Sequence, residues 1–264
     1  MNPKVIKNLS KRNSSMDNIE KITKTLIFPD GHSEAVDAAV ISEHELTVIV
    51  NEQPVYRLIC TKNDLKELVC GRLFTDGLIE SADDIKSLHF CETENRVRVF
   101  LAGEITWQQK VSTEPTCCTG NKIFAVSDRK PEAKILSPYE YKREWVFELA
   151  KEFGKDSPLH GLTGGNHRAI LAKEGQTLFT CEDIGRHNTI DKAVGYAVLN
   201  HIPLGECMIF TSGRVPVDMV EKVISAGIPV LVSKSVPTFQ SVELAKKYGL
   251  TLISRAWPDK YEVY

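Results

Sequence analysis

Residues 207–254 read CMIFTSGRVPVDMVEKVISAGIPVLVSKSVPTFQSVELAKKYGLTLIS, and this run decides the fold. Short β-branched and apolar segments at 208–210, 230–232 and 250–253 alternate with helical patterns at 217–226 and 239–248, closed by Gly227 and Gly249. Two consecutive strand-helix-strand units require parallel strands and right-handed crossovers. The loops that leave such strands meet on one rim, where open sheets bind ligands. Here they are Thr211-Ser212-Gly213-Arg214 and Ser233-Lys234-Ser235-Val236-Pro237-Thr238. Each offers hydroxyls and a cation just ahead of a helix N-terminus, where free N–H groups already favour an anion. Either loop alone reads as ordinary turn and capping chemistry; the matched pair favours a phosphate-bearing ligand.

Upstream, Ser137-Pro138-Tyr139-Glu140 has the residues of an N-cap, a first-turn proline and a capping-box glutamate. It predicts a helix whose apolar face is Trp145, Val146, Leu149, Ala150 and Phe153, closed by Gly154. Between that helix and the alternating run lie two polar clusters. His160-Gly161-Leu162-Thr163-Gly164-Gly165-Asn166-His167-Arg168 sets two histidines around a glycine pair. A ligand site and a plain hairpin turn with exposed histidines are equally open, and zinc is a weak third reading. Cys181-Glu182-Asp183-Ile184-Gly185-Arg186-His187-Asn188 then passes from strand to helix. Arg186 can clamp a phosphate and His187 can carry a proton, with Glu182 or Asp183 holding either in place. The alternative is a capped, solvated helix start in which Asp191 pairs with nearby bases.

The first half is strand-rich. Strands are expected at 25–28, 35–39, 47–50 and 55–59, the last two forming a hairpin across Asn51-Glu52-Gln53-Pro54. Asn63 is positioned to cap a helix carrying Leu65, Leu68, Val69 and Leu73 inward, with Gly77 ending it. A second hairpin joins 85–91 to 97–101. The chain therefore divides into a flexible polar segment (1–23), a strand-rich domain (24–110), a mobile connector (111–136) and an α/β domain (137–264).

With 264 residues, 42% hydrophobic and 26% charged, the chain can bury a large core. A net charge of -2 excludes a general nucleic-acid binder, and neither a secretory signal nor a membrane span is legible, so a cytoplasmic protein is expected. Seven irregularly spaced cysteines suit a reducing compartment. Cys60, Cys70, Cys91 and Cys207 lie in apolar segments and read as small buried hydrophobes. Cys117 and Cys118 differ, standing side by side in a polar run. Adjacent Cα atoms about 3.8 Å apart fall below the roughly 4.4 Å floor for comfortable disulfides, so both thiols stay available for transfer or coordination.

Taken together, Gly164-Gly165-Asn166-His167, Glu182 to Asn188 with Asp191-Lys192, Thr211 to Arg214, Ala226-Gly227-Ile228-Pro229-Val230 and Ser233 to Thr238 resemble the FdhD/NarQ family of formate dehydrogenase accessory proteins. The resemblance implies a C-terminal cytidine-deaminase-like three-layer α/β domain and a homodimer. It also implies a sulfurtransferase: a cysteine persulfide takes sulfur from a cysteine desulfurase and passes it to the molybdenum of a bis-molybdopterin guanine dinucleotide cofactor, ahead of its insertion into formate dehydrogenase. The cofactor is bound as substrate, and no resident metal is implied. The family's two sulfur-transfer cysteines, normally separated by two residues, fall on Cys117 and Cys118, which here have none between them. The spacing departs from the pattern and leaves the sulfur-bearing residue open, with Cys117 the counterpart of the first cysteine. The cofactor-binding segment falls on Ile253-Ser254-Arg255-Ala256-Trp257-Pro258, where Arg255 suits a phosphate and Trp257 a flat ring. Two rivals remain: a zinc-dependent deaminase-like hydrolase, whose His-x-Glu and Pro-Cys-x-x-Cys segments are absent, and a cofactor-binding chaperone without sulfur chemistry.

Overall fold

The computed structural model describes residues 18–114, 119–129, 134–155 and 157–264. It opens on an exposed ribbon of β1 (Ile19–Ile27) and β2 (Ser33–Ile41), paired antiparallel from Ile19 opposite Ile41 to Ile27 opposite Ser33. β1 thus begins before residue 24, where the sequence suggested that order starts. Its β-branched Ile19, Ile22, Thr23 and Thr25 favour extended backbone despite their polar company. β3 (His44–Val50) and β4 (Gln53–Cys60) form the expected hairpin. The turn is tighter than the sequence suggested: Asn51 and Glu52 both take positive φ, 45° and 63°, as a two-residue turn between twisted strands requires.

Helix α1 (Leu65–Thr75) follows, but Asn63 does not cap it. Its amide donates to Asp64 and to the Glu182 carbonyl instead, tying the helix start to the second half of the chain. β5 (Ile85–Phe90) pairs with β6 (Arg96–Leu101) as expected. The segment read as a connector contributes two further strands, β7 (Trp107–Thr113) and β8 (Lys122–Ser127), paired antiparallel. β7 is an edge strand with mostly exposed polar residues, so it lacks the apolar alternation that announces a strand. The six strands order as β5-β6-β3-β4-β8-β7, with β3 and β6 parallel.

Residues 134–142 are not helical, and α2 (Arg143–Phe153) starts later than the Ser137 cap predicted. The Leu136 amide bonds the Tyr248 carbonyl and the Tyr139 hydroxyl bonds the Glu206 carbonyl, so tertiary partners hold the segment extended against its local signal. Val146, Leu149, Ala150 and Phe153 form the buried face and Gly154 the stop, as read, whereas Trp145 is only half-buried, against Gly175. Next come α3 (Pro158–Thr163), β9 (His167–Lys173), β10 (Gln176–Asp183) and α4 (Arg186–Leu199). The alternating run then supplies β11 (Cys207–Thr211), α5 (Val217–Ser225), β12 (Val230–Ser233), α6 (Phe239–Tyr248) and β13 (Thr251–Ser254), and β14 (Glu262–Val263) ends the chain. β11, β12 and β13 are parallel, as the rhythm required. The sheet order is β10-β9-β11-β12-β13-β14, mixed because β9 runs antiparallel to both neighbours.

One face of this sheet, with Ile170, Met208, Phe210 and Val232, carries α2. The other, with Leu171, Ile209, Leu231 and Leu252, carries α4, α5 and α6. α1 packs on α4, so one core runs from the first sheet through α1 to the second. Burying side chains such as Leu68, Leu73 and Ile190 contributes about 1.5–3 kcal/mol each. The two helices cross at glycines: a Cβ on Gly71 would stand 1.8 Å from the Asp191 carbonyl oxygen, and one on Gly195 1.9 Å from that of Glu67.

Candidate functional site at the head of helix α4

The rim expected at the strand ends forms, and its hydroxyls are largely spent on building it. Ser212 Oγ accepts the Arg168 amide and lies 3.2 Å from His167 Nδ1. Ser233 donates to the Gly213 carbonyl and accepts from the Ser235 amide, joining the two loops. Thr238 caps α6 by accepting from the Ser241 amide. The Arg255 and Ala256 amides bond Ser235 and Ser233, so the segment after β13 closes onto the same rim. Ile253, Ser254 and Ala256 are buried, whereas Arg255, Trp257 and Pro258 are exposed. Arg214 is exposed as well, and Lys234 Nζ sits 4.8 Å from the centre of the Trp257 ring. Cations beside an aromatic face suit an anionic ligand carrying a flat ring.

Arg186 opens α4 and is buried, its aliphatic stem packed so closely on Gly213 that a Cβ there would lie 3.0 Å from Arg186 Cβ. His187 is fully buried with Nε2 3.1 Å from Asp218 Oδ2 of α5. Burial, reinforced by the Arg186 charge, pushes the His167 pKa below its ordinary value and keeps that ring neutral. The carboxylates expected to orient Arg186 or His187 serve other partners. Glu182 accepts from Ser157, Asn166 and the Leu159 amide, and Asp183 pairs with Lys192 while accepting from Thr61, Asn188 and the Gly185 amide. Nor is the start of α4 solvated, since every residue from Arg186 to Gly195 is buried.

Cys117 and Cys118 lie outside the described residues; the nearest described residues on either side are Glu114 and Thr119. Glu114 is buried after β7; its carboxylate meets Arg72 of α1 at 2.5 Å and Lys222 of α5 at 3.7 Å. Burial opposes its ionisation, yet Arg72, Lys222 and His187 hold its carboxyl far below the usual range. Asn121, ahead of β8, uses both ends of its amide. Its oxygen accepts from the Ile59 amide at 2.8 Å and from Thr119 at 3.2 Å; its nitrogen donates to Glu114 at 3.1 Å and to Asn188 of α4 at 3.0 Å. Thr119 Oγ1 would lie 3.4 Å from a Cβ on Gly185, the residue before α4. Both borders of the cysteine pair are thus fastened beside the head of α4, next to the rim. Asp191 completes the cluster with Lys222 at 2.9 Å and Thr75; burial raises its pKa against the pull of Lys222 and Arg72.

Sequence reasoning missed Arg72, Glu114, Asn121 and Lys222. The available signal was a charge inside an apolar helical stripe, as in Arg72 between Leu68, Val69 and Leu73. Among the described residues, no group of three or more His, Cys, Asp or Glu side chains could hold a metal ion, and no helix is long and apolar enough to cross a membrane.

Two sheets joined through one helical core, with a cation-bearing rim at the ends of parallel strands, define a mixed α/β protein. More narrowly, the chain belongs to the FdhD/NarQ family, whose model matches residues 41–264. It is 30% identical over 241 residues to the sulfur carrier protein FdhD of Bacillus pumilus, covering 90% of this chain and 92% of that one. To the protein of the same name from Bacillus subtilis it is 29% identical over 252 residues, covering 94% and 96%. A crystal structure from Desulfotalea psychrophila, of a protein provisionally named a formate dehydrogenase accessory protein, superposes with a TM-score of 0.75 at 24% identity, covering 93% of this chain and 96% of that one.

Proposed function

We propose that this protein is a sulfur carrier for formate dehydrogenase: a thiolate at Cys117 or Cys118 accepts sulfur from a cysteine desulfurase as a persulfide and delivers it to the molybdenum of a bis-molybdopterin guanine dinucleotide, held as substrate, before insertion of that cofactor into the dehydrogenase. In loading, the thiolate attacks the outer sulfur of the donor's persulfide and the donor's cysteine leaves as thiolate. In delivery, the carrier's S–S bond breaks with its electron pair staying on the cysteine. The freed sulfur takes two electrons from the reduced metal and becomes its sulfido ligand. The residues of the rim divide the remaining work. Arg214, Lys234, Arg255 and Trp257 hold phosphates and a guanine ring, with Thr211, Ser212, Gly213, Ser233 and Ser235 shaping the loops that carry them. In the cytoplasmic homodimer His167 borders the rim, and Arg186 and His187, buried behind it, support the site from within.

The observation that carries this reading is the attachment of the residues on either side of the cysteine pair to the head of α4, Thr119 beside Gly185 and Glu114 through Asn121 to Asn188. The test is the double variant Cys117→Ala/Cys118→Ala. Incubated with a desulfurase and cysteine, the unaltered chain gains about 32 Da, one sulfur, on the peptide spanning these residues, and the variant gains none. The variant leaves formate dehydrogenase inactive while binding guanine nucleotide as before. Active dehydrogenase produced with the variant refutes the proposal.

A further inference from the structure

A cavity of about 270 Å³ lies on the first sheet where β3, β5 and β6 meet, lined by Ile49, His89, Phe90, Cys91, Arg96 and Arg98 and by no residue of the rim. Strand register explains its charge. Val97 and Val99 of β6 are buried in the core, so Arg96 and Arg98 stand on the opposite face. There Arg98 lies between His89 of β5 and Ile49 of β3, its partners in register. Like charges gathered on one face of a sheet repel, and little offsets them here. Arg98 has Glu52 4.0 Å away with both side chains mostly exposed, and among the described residues no carboxylate pairs with Arg96 or His89. Ile49 and Phe90, each half-buried, give the cavity an apolar side. Cations beside apolar surface suit a small organic anion.

The sixth residue makes this place reactive. Cys91 is partly exposed in the turn between β5 and β6. Hydrogen bonding from Thr93, whose Oγ1 lies 3.4 Å from Sγ, and from the backbone amides of Arg96, Thr93 and Asn95 lowers its pKa against the effect of burial. The thiol donates to Asn95 Oδ1 at 3.1 Å, and that exposed carboxamide can turn its NH2 to the sulfur once the proton has left. The other described cysteines shift the opposite way: burial pushes Cys70 up to about 12 and Cys207 to about 11, and raises Cys60 and Cys181 further.

We infer that this cavity receives a small organic disulfide bearing carboxylates, the arginines holding the carboxylates while Cys91 exchanges with the sulfur to form a reversible mixed disulfide. The Cys91 thiol gives its proton to solvent and the thiolate attacks one sulfur. The S–S bond breaks, and its electron pair leaves on the other sulfur as a thiolate. The disulfide is the oxidant, and a free thiol reverses the step. The inference is independent of the sulfur-carrier reading, since it uses neither Cys117 nor Cys118.

The test uses full-length Cys117→Ala/Cys118→Ala, in which that pair does not compete, and two aromatic disulfides of similar size: dianionic dithiobis(nitrobenzoate) and neutral dithiodipyridine. Release of the coloured thiol gives the rate, and peptide mass spectrometry locates the adduct. The adduct should form on Cys91. Adding Arg96→Gln/Arg98→Gln should slow the anionic disulfide about tenfold and change the neutral one by less than about twofold. Equal effects on both disulfides overturn the inference and leave an exposed thiol only; an adduct confined to another cysteine overturns it as well. Should the arginine variant fail to fold, a salt series on the chain that retains both arginines decides. A net charge of -2 acting alone would make added sodium chloride speed the dianion, whereas the local cations make salt slow it and leave the neutral disulfide unchanged. A dianion rate that rises or stays level with salt overturns the inference.

Discussion

Lys192 carries its ammonium into the protein interior, fully buried, with Nζ 2.7 Å from Asp183 Oδ2 and donating to Thr61 and to the Glu182 carbonyl at 2.9 and 3.0 Å. Burial disfavours the charge, but Asp183, chief among the neighbouring groups that favour it, and Asp64 together hold the pKa above its ordinary value. Removing one member of such a pair strands the other. Lys192→Met should therefore cost about 3–5 kcal/mol in urea unfolding, and adding Asp183→Asn should recover part of that loss. A variant as stable as the parent would contradict a functioning buried pair. Sequence could not supply this pairing, because adjacency made Arg186 and His187 the natural partners of Asp183, while the true partner stands nine residues on in the chain, inside a helix whose burial was hidden. Cys91 misled in a similar way. It follows an apolar strand but stands in the turn beyond it, partly exposed, with Sγ 3.1 Å from Asn95 Oδ1, whereas Cys60, Cys70 and Cys207 are buried as read.

Among elements, the contact between α1 and α4 depends on two residues that helices usually avoid. Glycine in a helix interior costs up to about 1 kcal/mol relative to alanine, so Gly71→Ala or Gly195→Ala would stabilise an isolated helix. Here the added methyl meets a backbone carbonyl at less than 2 Å and forces the helices apart. Each substitution should lower stability by at least about 3 kcal/mol, a fall in Tm of roughly 6–12 °C by calorimetry. A rise in Tm would mean that the crossing is not close-packed. The strand-helix alternation of 207–254 was legible because each element has its own apolar period and a glycine stop. The edge strand β7 was not, because a polar edge strand gains its stability from a neighbour's backbone, which leaves no mark on its own residues; β8, inside the sheet, carries the short apolar run Ile123-Phe124-Ala125-Val126, which the reading of this segment as a connector passed over. The Ser137 cap failed for the converse reason: a sound local signal lost to bonds made with Tyr248 and Glu206.

For the molecule as a whole, the cluster of Arg72, Glu114, Asp191 and Lys222 joins α1, the residue after β7, α4 and α5, so it couples the two sheets through charge as well as through the core. Its pH dependence has a definite sign. The Glu114 carboxyl is depressed in the folded state, so below its ordinary value of 4.5 the unfolded chain takes up that proton first and stability falls with falling pH. His167 is also depressed, and it begins the loss below its ordinary 6.5. Asp191 acts oppositely: its raised pKa lets the folded state take a proton before the unfolded one, which offsets part of the fall. The loss should steepen below about pH 4.5, where the unfolded chain takes up the proton that Arg72 and Lys222 keep off Glu114 in the folded state. Urea unfolding at pH 7, 5.5 and 4 should show this for the parent chain. Glu114→Gln, less stable at neutral pH, should have a distinctly flatter profile below pH 4.5 because the group that titrates there is gone. Because the cluster touches both halves, fluorescence and circular dichroism should report one acid transition, not the early release of a single sheet. Equal slopes in parent and variant would remove Glu114 as the acid-sensitive tie, and two separate transitions would show that the halves unfold independently despite their common core.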